Sequence, residues 1–289
     1  MAPPERFLPD PGEIYLDHVG WYVPNLDKVG RVFAKLGFPL TPEALHVDRE
    51  PETGEVIPQG SANRLAMLEE GYLEFLTDAA DIDSLVARHM RERRALYVGI
   101  HLTAFSVADA KMEAARLAAD GIPLQPTVNL RRTVEAADGS EAEAGFTVIR
   151  AAFDAFPEGR IQTLSHLTPE HVWQDRFIAS ENSITGLAEV VFSVPDPGAS
   201  AERLAAFTGR CPRQTIDGMV ILLDRGRLSF VKGDIMAITE IGLVSRNLDQ
   251  TRDYFLRRDI SFTEEGNKRL IIEPGDALGA KLIITPAEA

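Results

Sequence analysis

The sequence predicts an α+β fold in which four βαβββ modules pair into two cupped, mixed sheets. Three observations carry that expectation. A phrase of about eleven residues, an apolar strand running through a polar cap into an amphipathic helix, recurs at four places. In the first two modules the helix is followed by a hairpin that turns on a glycine, Gly71 or Gly159. At 289 residues the chain is long enough for about two domains, each holding one pair of modules.

The clearest copy is Leu16-Asp17-His18-Val19-Gly20-Trp21-Tyr22-Val23-Pro24-Asn25-Leu26-Asp27. It is echoed by Ile241-Gly242-Leu243-Val244-Ser245-Arg246-Asn247-Leu248-Asp249, with Glu240 in the place of His18. A third copy runs from Glu189 to Asp196 and a looser fourth from His101 to Asp109.

In the first module Ile14 to Val23 alternates as a strand does. Asn25 then caps a helix that carries Val29, Val32, Phe33 and Leu36 on one face and stops at Gly37. Pro42 to Gly60 reads as a polar loop. Asn63 to Leu68 and Tyr72 to Thr77 read as a hairpin around Glu69-Glu70-Gly71. Ile82 to Ala95 has helical spacing and is expected to connect the modules.

Module two opens near Tyr97, and its helix from Ala108 to Ala119 ends at Gly121 with Pro123 beyond. Its hairpin is Thr147 to Phe153 with Arg160 to Leu167, and Glu135 to Glu143 is expected as an exposed loop. The predicted first domain is therefore 13–168, and the second, with shorter modules, is 185–286. Trp173 and Phe177 indicate that the connection from Thr168 to Ser183 packs against the fold.

Composition excludes several functions. Thirty Lys and Arg against 44 Asp and Glu leave a net charge of −14, which opposes nucleic-acid and anionic-membrane binding. A single Cys211 permits no internal disulfide, Met1 to Arg6 lacks the apolar core of a signal peptide, and no stretch would span a bilayer. A cytoplasmic protein is expected. No Walker loop, dinucleotide fingerprint, GxSxG elbow or HExxH helix occurs.

Side chains of one strand parity point into a cup. His18 lies on the first strand of module one and Glu74 on its last; His101 and Gln162 hold the matching places in module two. Glu74 and Gln162 each follow the turn glycine by three residues. This pattern resembles the vicinal oxygen chelate superfamily, and its glyoxalase-like proteins above all. The likeness rests on Asp17-His18-Val19 and on Gly60-Ser61-Ala62-Asn63-Arg64-Leu65 followed by Gly71-Tyr72-Leu73-Glu74.

The resemblance implies one divalent metal at the cup centre, Fe, Mn, Zn or Ni, held by His18, Glu74, His101 and Gln162, with Glu74 also catalytic. It further implies a substrate chelated through vicinal oxygens, for which Asn63, Arg64 and Arg150 are candidate contacts, while His166 is either a substrate contact or a substitute ligand should His101 face away. His101 stands six residues before Val107, whereas its counterparts stand five before theirs. Either the strand bulges there and His101 points inward, or Leu102 takes the ligand place and His101 points away. Gln162 replaces the usual carboxylate. Glu189 and Glu240 have no accompanying histidine, so the second pair is expected to be structural.

Three functions follow from this reading. The first is a metal-dependent lyase or isomerase of glyoxalase type, and the second an Fe(II) ring-cleaving dioxygenase. The third is a metal-free small-molecule binding protein. A small molecule is the expected partner, and a homodimer is the alternative to a self-contained chain, since four modules can complete two cups alone.

Overall fold

The computed structural model describes residues 8–50, 52–79, 82–266, 268–275 and 278–287; the N-terminal hexapeptide discussed above lies outside them. The first module contains β1 (Ile14–Tyr22), α1 (Leu26–Lys35), β2 (Ala44–Arg49), β3 (Val56–Met67) and β4 (Tyr72–Asp78). Helix α2 (Leu85–Leu96) leads into β5 (Ile100–Val107), α3 (Ala110–Ala119), β6 (Val128–Glu135), β7 (Glu141–Arg150) and β8 (Arg160–His166). Asn25 and Asp109 cap α1 and α3, each accepting two backbone N–H bonds, a contribution of about 1 kcal/mol per cap.

The stretches expected as polar loops are largely strands. Pro42 to Gly60 contains β2 and the start of β3, and the expected loop from Glu135 to Glu143 shrinks to a turn between β6 and β7. Their polar composition does not forbid pairing, because the arms satisfy one another's backbone: Val47 pairs with Arg131 and Asp48 with Leu130. Arg49 and Arg131 reach Glu143 at 2.7 and 3.3 Å across this junction.

That junction closes the first eight strands into a ring in the order β1-β4-β3-β2-β6-β7-β8-β5, with β5 returning to β1. Closure gives every strand of this half two neighbours, although β2 and β6 meet over only two residue pairs, and makes the cup a narrow barrel-like interior. Leu65, Leu76, Leu102, Phe146, Val148 and Leu164 fill part of it.

The second half repeats the plan in β9 (Ile184–Val194), α5 (Pro197–Thr208), β10 (Pro212–Gln214), β11 (Gly218–Leu222) and β12 (Arg227–Lys232). It continues in β13 (Ala237–Ser245), α6 (Leu248–Arg257), β14 (Thr263–Glu265), β15 (Arg269–Ile272) and β16 (Lys281–Pro286). Strands β9 and β13 are antiparallel at its centre, with β12 and β16 parallel beside them. Among the described residues the three-residue strands β10 and β14 pair only with β11 and β15, so this sheet stays open.

The halves join through Ile238 paired with Ile100 and through bridges from Tyr15 to Arg225 and Glu70 to Gly186. The main core lies between the sheet and the helices. Phe33, Phe207 and Phe255 are fully buried there, each contributing about 1.5–3 kcal/mol of transfer free energy. The connection after β8 forms α4 (Pro169–Val172) and a short 3-10 turn. Trp173 packs there at 4.8 Å from His166 and 6.1 Å from Tyr72.

Candidate functional site

Glu74 and His18 meet inside the closed cup. Strands β1 and β4 run parallel with His18 beside Tyr72 and Gly20 beside Glu74, so both side chains point inward. His18 stacks on Tyr72 at 4.4 Å, and its Nε2 lies 3.5 Å from Glu74 Oε2. Asn63 Nδ2 donates to Glu74 Oε1 at 2.6 Å. His46 Nε2 is 3.8 Å from the same oxygen, and its Nδ1 is 3.0 Å from Ser61 Oγ.

Asp17 fixes the imidazole from behind. The pairing of β1 with β5 shifts between Leu16 and His18, which leaves Asp17 as a bulge residue. Its Oδ1 lies 2.6 Å from His18 Nδ1 and its Oδ2 2.8 Å from His166 Nε2, with no solvent exposure. An ionised carboxylate only accepts, so both nitrogens carry protons.

Burial alone would lower the His18 pKa, but the hydrogen bonds to Asp17 and Glu74 raise it to about 9. Burial would raise Glu74, yet the hydrogen bond from His18 and its charge hold it at about 2. Burial also opposes ionisation of Asp17, and His166 and His18 together keep it well below the carboxylate range. Burial presses His46 down to about 4, so it is neutral.

The matching site in module two differs. Leu102 pairs with Arg160, and Ala104 with Gln162, as His18 and Gly20 pair with Tyr72 and Glu74. The register therefore makes Leu102 the counterpart of His18 and His101 the counterpart of Asp17. The turn glycines agree: a Cβ on Gly71 would meet the Asp17 carbonyl at 2.6 Å, and one on Gly159 the His101 carbonyl at 3.0 Å.

The second bulge does fall at His101, between Gly20 paired with Leu102 and Trp21 paired with Ile100, but the imidazole does not join the cavity lining. His101 Nε2 lies 3.0 Å from the Tyr97 carbonyl, its ring is 4.0 Å from Tyr97 and 5.2 Å from Tyr22, and Leu102 lines the cup. His101 is thus corrected from metal ligand to a packed residue outside the cup. Arg64 is corrected likewise: it occupies the other face of β3 from Asn63, donating to the Thr41 carbonyl at 2.9 Å beside Gly30.

Of the expected residues, His18, Glu74, Asn63, Arg150 and Gln162 line one narrow cavity of about 40 Å³. His166 sits behind it on Asp17. Sequence reading missed four further participants: Asp17 as the bridge, His46, Arg132 and Arg160. Strand parity could have found Arg160, which alternates with Gln162 and Leu164 along β8. His46 and Arg132 sit on strands read as loop or left unassigned.

The side chains present do not fit the divalent metal that the resemblance implies. Among the described residues no three His, Cys, Asp or Glu side chains are grouped to hold an ion. The fourth place is the hydrocarbon of Leu102, and Arg132, Arg150 and Arg160 line the same cavity. In the second half, Glu189 is 2.6 Å from Arg227 and Glu240 3.2 Å from Lys281, so both carboxylates already have cations.

Comparison with known proteins agrees with this architecture. No helix among the described residues is long and apolar enough to cross a membrane. No curated protein matches the chain by sequence. A hypothetical protein from Staphylococcus aureus is similar in structure at 9% identity and a TM-score of 0.65, over 95% of this chain and all of that one. A 4-hydroxymandelate synthase variant from Streptomyces coelicolor aligns at 12% identity and 0.55, over 96% and 94% of the two chains. A homoprotocatechuate 2,3-dioxygenase variant from B. fuscum aligns at 14% and 0.55, over 97% and 73%. At such identities these likenesses speak for the fold alone. The family model of a glyoxalase-like domain matches residues 16–208, two modules and the start of the third, and the chain belongs to that family within the vicinal oxygen chelate superfamily.

Proposed function

We propose that the chain binds a small organic molecule in its N-terminal cup without a divalent metal, and that the open C-terminal half is structural support. The observation that carries this reading is the lining itself: three guanidiniums surround one carboxylate already engaged by His18 and Asn63. A cation entering there would meet net repulsion in a low dielectric.

One observation favours the metal-dependent lyase or isomerase as the second reading: the Nε2 atoms of His18 and His46 flank Glu74 at 3.5 and 3.8 Å. A ring-cleaving dioxygenase has less support, since Glu189 and Glu240 are ion-paired and lack histidine partners. Metal analysis of protein purified without chelators separates the readings. We expect substoichiometric metal, unchanged in the His18→Ala, Glu74→Ala double variant. Stoichiometric metal that this variant loses would replace the first reading with the second.

A further inference from the structure

Three arginines are buried where a metal would otherwise be expected. Arg132, Arg150 and Arg160 are 4–6% exposed, and the Nε of each is buried without a hydrogen-bond partner. Two of them hydrogen-bond to neutral amides, with Glu74 the nearby carboxylate that attracts both: Arg132 Nη1 is 3.5 Å from Asn63 Oδ1, and Arg150 Nη1 is 3.1 Å from Gln59 Oε1. Arg132 also lies over the Phe146 ring at 5.7 Å. Burial, and then the neighbouring charge of Arg160, push Arg150 down to about 9; burial lowers Arg132 as well.

Uncompensated cations in such a place are costly, and the cost is relieved when an anion supplies the missing counter-charge. Glu74 is the one carboxylate lining the cavity among the described residues, and it faces three guanidiniums. The lining therefore stays about two charges positive inside a chain whose net charge is −14.

We propose that the cup is a receptor for a small doubly negative organic anion, a dicarboxylate or a phosphate ester, held by Arg132, Arg150 and Arg160. This rests on the reading of the cup as a metal-free small-molecule site and names its ligand class. The guanidinium fork suits carboxylate and phosphate alike, because both present paired oxygens at matching spacing. Leu65, Leu102, Leu130 and Phe146 line the same cavity and would cover a short carbon skeleton.

The test is calorimetric titration of the full chain at low ionic strength and neutral pH with malonate, inorganic phosphate and the neutral malonamide. Binding of malonate or phosphate without malonamide is the expected result, and the responding anion tells dicarboxylates from phosphate compounds. Arg150→Gln and Arg160→Gln should each weaken that binding about tenfold or more, and Arg150→Lys by less. Malonamide binding as well as malonate, no response to either anion, or affinity unchanged in both glutamine variants would overturn the proposal.

Should the variants fail to fold, the wild-type melting temperature decides. It should rise with malonate or phosphate and stay level with malonamide at equal ionic strength. Metal content is read on the same preparation. Stoichiometric metal would end the metal-free reading, while loss of the Arg150 effect would end the anion proposal.

Discussion

Asp17 ties His18 to His166 across 149 positions of sequence, with 2.6 Å to one imidazole and 2.8 Å to the other. The carboxylate links the first strand of the cup to its last, and it is wholly buried. Removing its charge would leave two N–H groups facing a poorer acceptor in a low dielectric. Asp17→Asn should therefore destabilise the fold by about 3–5 kcal/mol, the usual result of breaking one side of a buried ion pair. In the same variant the His18 pKa, read by NMR, should fall from its raised position. A loss under about 1 kcal/mol with an unmoved His18 titration would show that Asp17 is dispensable.

Leu102 and His101 should behave oppositely. His101 packs between Tyr22 and Tyr97 outside the cup, so His101→Ala should cost about 2–4 kcal/mol through the cavity it leaves, with malonate or phosphate affinity unchanged. Leu102→Ala should alter ligand affinity by enlarging the cup as well as lowering stability. Urea denaturation with parallel titrations checks both, and an affinity loss confined to His101→Ala would reverse the assignment.

This pair also shows how much the sequence disclosed. The strand-helix-hairpin repeat, the caps at Asn25 and Asp109, and the inward parity of His18 and Glu74 are local patterns, and each is readable within a dozen or so residues. The direction in which a bulge turns a side chain is not local. It depends on which strand lies opposite, and only the pairing of β5 with β1 and β8 shows that Leu102 faces inward. The charge of the cup was hidden for the same reason: Arg132 lies on a strand that reads as unassigned polar sequence until β2 and β6 are seen to pair.

Acid should weaken the protein through its buried neutral histidines. Burial lowers His89, and His101 likewise, from 6.5 to about 4. A depressed histidine binds fewer protons folded than unfolded. The stability it contributes is thus complete above about 6.5 and is lost as the pH falls towards 4. Each could account for about 1–3 kcal/mol over that window. His89 stacks on Phe153 at 4.3 Å, so His89→Phe should retain the packing and flatten the acid limb of stability against pH. An acid limb as steep as in the wild type would place the loss elsewhere.

Glu74→Gln should separate stability from ligand binding. His18 is raised to about 9 and Glu74 lowered to about 2, so their mutual stabilisation is complete between about 4.5 and 6.5. It fades as pH rises through 9, where the imidazolium is lost, and again as pH falls through 2. The glutamine variant should lose about 3–5 kcal/mol near neutral pH, show a lower His18 pKa, and lose less further stability towards alkaline pH than the wild type. The same change removes the carboxylate that faces Arg132, Arg150 and Arg160, so affinity for phosphate or malonate should rise. Added anion should then restore part of the lost stability by mass action. Falling stability with rising anion affinity is the signature of a carboxylate that repels the ligand while holding the imidazolium. If both quantities fall together, Glu74 contributes to ligand contact, and the charge balance of the cup is other than described.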